Sequence, residues 1–91
     1  MRINITAKNF DLTQAIKDVI NEKVGRLDKY FAKEVDTKVI LETNKYGKKI
    51  EVLISTQSKL LKAECINEDL YVAIDMVVDK FKTQIERFSD K

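Results

Sequence analysis

Cations recur at helical spacing in two stretches of this chain. Lys80, Gln84, Arg87 and Lys91 stand at i, i+4, i+7 and i+11, while Arg26, Lys29 and Lys33 run down one flank of an earlier amphipathic segment and Lys23 falls inside its apolar arc. Rows of lysine and arginine suit a phosphate backbone, because each side chain is a donor-only cation and a phosphodiester chain presents regularly spaced negative charge. The same rows also serve as a solvated helix face, with Asp75, Asp79 and Glu86 supplying acidic neighbours on the opposite flank around Lys82. Pairs of that kind are worth only about 0.2–0.5 kcal/mol each. Both readings stand on the pattern alone, and for Lys23 the bland one is an aliphatic stem covering the core edge with its ammonium reaching water.

Other chemistry is largely excluded. The chain has no histidine and one cysteine, so a zinc cluster, a Cys/His dyad, a Ser/His/Asp triad and an internal disulfide cannot be assembled. Cys65 alternates with Glu64 and Ile66, which predicts a small buried hydrophobe. Asp75 and Asp79, on an exposed helix edge with no pocket to perturb them, read as ordinary solvated carboxylates. No catalytic residue, metal, cofactor or small-molecule substrate is expected. Net charge is only +2, so a basic surface can arise only by segregation of charge.

The elements that must position these residues are legible from periodicity. Ninety-one residues at 44% hydrophobic and 35% charged suit one small domain over residues 1–91. No apolar run approaches the roughly 18 residues of a membrane span, and no export signal opens the chain, which predicts a cytoplasmic protein with no membrane partner. Residues 2–8 alternate as a strand. Leu12, Ile16, Val19, Ile20, Val24, Leu27, Tyr30 and Phe31 recur at helical spacing, predicting a helix over about 12–31 capped by Asp11 or Thr13, with Gly25 in its last third costing about 1 kcal/mol. Residues 35–43 alternate again, the turn residues of 44–48 follow, and Ile50, Val52 and Ile54 alternate with Glu51, Leu53 and Ser55, so the chain forms a β-hairpin there. Gln57 and Ser58 mark a second turn before a fourth strand carrying Leu61, Ala63 and Cys65. The strongest stripe, Leu70, Ile74, Val77, Val78, Phe81, Ile85 and Phe88, predicts a helix over 67–88 with Asn67 as its cap.

The predicted order β-α-β-β-β-α gives an α+β two-layer sandwich, with a four-stranded sheet and both helices packed on one face. Side-by-side helices bring Lys23, Arg26 and Lys29 opposite Lys80, Gln84 and Arg87 across a shallow groove, provided the two flanks turn toward one another. The packing angle that decides this is not readable from sequence. A groove of that kind suits structured RNA, which is recognised mainly through shape and backbone.

Three stretches carry a resemblance. MRINITAKNFDLTQAI, the K-x-x-R-L-x-K-Y pattern from Lys23 to Tyr30, and NEDLYVAIDMVVDKFKTQIER resemble, in this order and over the whole chain, the ribosome hibernation-promoting factors, also called ribosome-associated inhibitors. The resemblance implies a translation inhibitor that occupies the messenger and transfer RNA channel of the small ribosomal subunit and contacts its ribosomal RNA. It implies RNA-binding roles for Lys23, Arg26, Lys29, Lys80, Lys82 and Arg87, and for Lys8 and Tyr71. Long members of that family continue into a second domain that pairs ribosomes. The alternative left by the residues themselves is a generic double-stranded RNA-binding module.

Overall fold

The computed structural model describes residues 1–89, with side chains through Glu86. Its elements run β1 (Arg2–Lys8), α1 (Gln14–Gly25), a 3-10 helix (Arg26–Tyr30), β2 (Asp36–Asn44), β3 (Gly47–Ser55), β4 (Leu60–Asn67) and α2 (Leu70–Ser89). The strands form one sheet in the order β1-β2-β3-β4. β1 lies parallel to β2, with Ile5 opposite Val39, and the other neighbours are antiparallel. The expected β-α-β-β-β-α sandwich is therefore present, with α1 touching β1, α2 seated on β3 and β4, and the helices in contact with each other.

Alternation explains the strands. Thr37, Val39 and Leu41 of β2, Ile50, Val52 and Ile54 of β3, and Leu61, Ala63 and Cys65 of β4 are all buried beneath the helices, as a period of two requires when one face is covered. Charged residues alternate with them on the open face, where Lys62–Glu51 (3.1 Å) and Lys49–Glu64 (3.5 Å) pair diagonally between β3 and β4. The β2–β3 turn holds only Lys45 and Tyr46, and the Asn44 side chain accepts from the Tyr46 amide at 2.8 Å. Gly47 follows at φ +135, and a Cβ there would sit 2.8 Å from the Asn67 carbonyl oxygen. Only glycine fits that approach.

Three local predictions are corrected. The helix expected over 12–31 begins at Gln14, because Thr13 is the cap: its hydroxyl accepts from the Ile16 amide and its carbonyl from the Lys17 amide. That helix also stops being α-helical at Gly25 and continues as the 3-10 turn Arg26–Tyr30. Glycine is the weakest ordinary helix former, and the tighter winding still buries Leu27 and half-buries Tyr30, which eclipse at i and i+3. In α2, Asp69 is the cap in place of Asn67. The Asp69 carboxylate accepts from the Tyr71 amide and its carbonyl from the Ala73 amide, while Asn67 accepts from the Asp69 amide. β4 runs on to Asn67, so the helix begins one short turn later, with a carboxylate at its positive end.

The α2 stripe faces the sheet. Leu70, Ala73, Ile74, Val77, Phe81 and Ile85 are buried, and Phe81 is the largest side chain with no exposure. Val78 is only half-buried, at the stripe's margin. The expected Phe88 contact, like the side chain of Arg87 and all of Lys91, lies outside the described residues.

Candidate nucleic-acid interface

Two geometries govern the cations. In the 3-10 helix, residues three apart eclipse one another, so Arg26 and Lys29 fall on one exposed ridge. Arg26 reaches back one turn to Glu22 at 3.2 Å, and the Lys29 ammonium sits 5.5 Å from the centre of the Tyr30 ring. The ridge is anchored from below. The Met1 ammonium lies 3.2 Å from Asp28 and 2.9 Å from Glu34, tying the 3-10 helix to the start of β1. Those carboxylates, Glu34 first, raise the amine's pKa above its ordinary 8.0.

Lys23 is half-buried between the helices, with its ammonium 2.7 Å from the Asp75 carboxylate of α2. Asp75 is thus a partner across the interface and not merely a solvated charge. The signal for it was the lysine inside an apolar arc, which called for a counter-charge on the neighbouring element. Tyr71, four residues before Asp75, and Lys82, seven after, share that flank of α2 by helical register and are exposed. The surface along the helix boundary therefore carries Lys23, Arg26, Lys29 and Lys82, with Tyr71 near the α2 N-terminus.

The expected groove between the two basic rows does not form. Lys80 and Gln84 lie on the opposite flank of α2, over the edge of β4, where the Lys80 ammonium donates to the Glu64 carbonyl at 3.0 Å and the Gln84 amide donates to the Lys62 carbonyl at 3.3 Å. The cause is the seating of α2. With Ile74, Val77 and Phe81 turned to β3 and β4, one flank must face α1 and the other the sheet edge, and Lys82 takes the first position while Lys80 takes the second. Lys8 is exposed on the open sheet face at the end of β1. Among the described residues, the predicted site residues thus divide into an inter-helix group, Lys80 at the β4 edge and Lys8 on the sheet face.

Among the described residues, no three His, Cys, Asp or Glu side chains are placed to hold a metal ion, and no helix is long and apolar enough to cross a membrane. Cys65 is buried and unpaired.

A mixed four-stranded sheet under two helices, with cations gathered where the helices meet, defines a small α+β domain. Residues 3–91 match the family described as Sigma 54 modulation protein / S30EA ribosomal protein, and the chain belongs to that family. It is 32% identical over 91 residues to the ribosome hibernation promoting factor of Azotobacter vinelandii, covering all of this chain and 85% of that relative. It is 36% identical over 94 residues to the ribosome hibernation promotion factor of Bacillus subtilis, of which it spans 50%. The crystal structure of the Thermus thermophilus Protein Y N-terminal domain superposes with a TM-score of 0.88 at 35% identity, over 97% of this chain and 99% of that one.

Proposed function

We propose that this chain is a ribosome-associated hibernation factor that lowers translation by occupying the small ribosomal subunit, in the channel used by messenger and transfer RNA. Relatives named for ribosome hibernation support the ribosome as partner. The observation that carries the RNA contact is the eclipsed Arg26–Lys29 ridge beside Lys23 and Lys82. Arg26 and Lys23 are held by the exposed carboxylates of Glu22 and Asp75, pairings worth about 0–1 kcal/mol, and Lys29 rests against the Tyr30 ring, so ribosomal RNA phosphates exchange for these contacts at little cost. Tyr71 offers a ring and a hydroxyl at the same boundary, for stacking or a sugar contact. Lys80 and Arg87 extend the contact, whereas Lys8, on the open sheet face, stands apart from it. Nothing in this mechanism turns over: the protein acts stoichiometrically, by being in the way.

Co-sedimentation with ribosomal subunits in sucrose gradients tests the reading. The protein should travel with the small subunit, be displaced by messenger and transfer RNA together, and ignore an excess of plain duplex RNA. Loss from ribosomes to plain duplex RNA would identify a generic double-stranded RNA binder instead. In a reconstituted translation system, inhibition should track the ratio of protein to ribosome, and strong inhibition far below one protein per ribosome would overturn the occupancy mechanism.

A further inference from the structure

The β4 edge is occupied by the protein's own side chains, and the manner of occupation is informative. β4 ends the sheet order. The Thr56 amide donates to the Lys59 carbonyl at 2.9 Å, which makes 56 and 59 a bonded pair closing the β3–β4 turn. Antiparallel pairs alternate between bonded and non-bonded, so Leu61, Ala63 and Cys65 bond back to β3, while Leu60, Lys62, Glu64 and Ile66 direct their amides and carbonyls off the edge. Lys80 and Gln84 take the carbonyls of Glu64 and Lys62. The fit is one of spacing: four helix residues rise about 6.0 Å and two strand residues about 6.6 Å, so side chains one turn apart on α2 meet alternate carbonyls of β4.

We propose that β4 is a latent pairing edge for a second copy of this chain, kept shut by Lys80 and Gln84. Its sequence is self-complementary in the one register that the edge permits with matched charges. An antiparallel two-fold centred on Ala63 sets Lys62 opposite Glu64 of the second copy and Leu60 opposite its Ile66. Centring on Lys62 or Glu64 instead sets like charges face to face. On this face Leu60 and Ile66 are 58% and 40% exposed, and the two-fold covers each with the other, extending four strands into eight. Unpaired edges invite this kind of association, and inward-reaching polar side chains are a means of blunting them. Two bonds from α2 must be given up before the second strand gains those carbonyls. The inference is independent of the ribosomal reading, since it concerns the sheet edge alone.

The test is sedimentation velocity of the wild type and of the Lys80→Ala/Gln84→Ala variant over a concentration series. The wild type should be monomeric, and the variant should dimerise with a dissociation constant lower by about tenfold or more, as expected for releasing two carbonyls in each copy from internal hydrogen bonds. Adding Lys62→Glu should abolish the dimer, and adding Lys62→Glu with Glu64→Lys should restore it. Should the alanine variant fold poorly, Lys80→Met/Gln84→Met keeps the stems without the donors and reads the same equilibrium. A folded variant no more associative than the wild type, a wild type that is already dimeric, or a dimer indifferent to Lys62→Glu would each overturn the proposal.

Discussion

Lys23 and Asp75 stand 52 positions apart in the chain and meet at 2.7 Å, the ion pair that ties α1 to α2. This pairing holds a cation at the helix boundary while also setting a carboxylate beside the place where a phosphate would bind. Asp75→Asn should therefore tighten ribosome binding several-fold and steepen its salt dependence, because Lys23 is released and a repulsive charge is gone. Stability should fall by no more than about 1 kcal/mol, the scale of an exposed pair. Filter-binding titrations at several salt concentrations, beside thermal melts, check both. Weaker binding by the variant would mean that Asp75 orients Lys23 toward RNA.

What periodicity reports and what it omits are visible around this pair. Val39, Val52 and Ala63 alternate with charged, exposed or only half-buried neighbours, and Ile74, Val77 and Phe81 recur at helical spacing, so strand faces, the α2 stripe and the order of elements follow from local pattern. The flank of α2 that meets α1 does not. A helix seated on a sheet has two equivalent shoulders in sequence, and only the placement of α1 over β1 and of α2 over β3 and β4 separates Lys82 from Lys80. The break at Gly25 was likewise marked by its residue type, but the 3-10 winding that brings Arg26 and Lys29 onto one ridge depends on burying Leu27 with Tyr30 behind it. Of the candidate site, the cations were legible and their grouping was tertiary.

Phe81 separates packing from binding. It is the largest side chain with no exposure and lies at the centre of the α2 stripe. Phe81→Ala should cost about 3–5 kcal/mol, which removes much or all of the stability of a domain this small. Urea titration followed by circular dichroism measures the loss, and a shift near zero would contradict the buried face described for α2.

Thr37 should respond in the opposite sense. It is 2% exposed and, among the described residues, its hydroxyl has no hydrogen-bond partner, so β2 carries a desolvated polar atom among Val39, Ile54 and their neighbours. Thr37→Val keeps the β-branched shape and deletes the unpaired hydroxyl, and should stabilise the fold by about 1 kcal/mol. A lowered denaturation midpoint in urea would mean that the hydroxyl is satisfied in solution.

The Met1 ammonium supplies a pH dependence. Its pKa is raised above 8.0, chiefly by the hydrogen bond to Glu34 and with help from Asp28. A raised folded-state value means that the amine's contribution to stability is complete below the unfolded value of about 8 and is lost as pH climbs through the folded one. Melting temperature should therefore drop on the alkaline side of pH 8 by more in the wild type than in Glu34→Gln, whose baseline starts lower. Parallel curves for the two proteins between pH 7 and 10 would show that the ammonium contributes nothing.

The Arg26–Lys29 ridge is where ribosome binding should be most sensitive. Each phosphate contact releases counterions, so Arg26→Ala or Lys29→Ala should weaken binding and reduce the salt slope by about one unit, and the double variant by about two. Melting should change little, since both side chains are exposed and the Arg26 pair with Glu22 is a surface contact between adjacent turns. Lys38 is also exposed but lies on the open sheet face, on the far side of the sheet from the helices, so Lys38→Ala should leave both affinity and slope nearly unchanged. Lys82→Ala should resemble Arg26→Ala, because it shares the Asp75 flank, whereas Lys80→Ala should have a smaller effect, its ammonium already donating to the Glu64 carbonyl. An equal loss from Lys38 and Arg26 would remove the helical surface as the contact, and a greater loss from Lys80 than from Lys82 would move the contact from the helix boundary to the β4 edge.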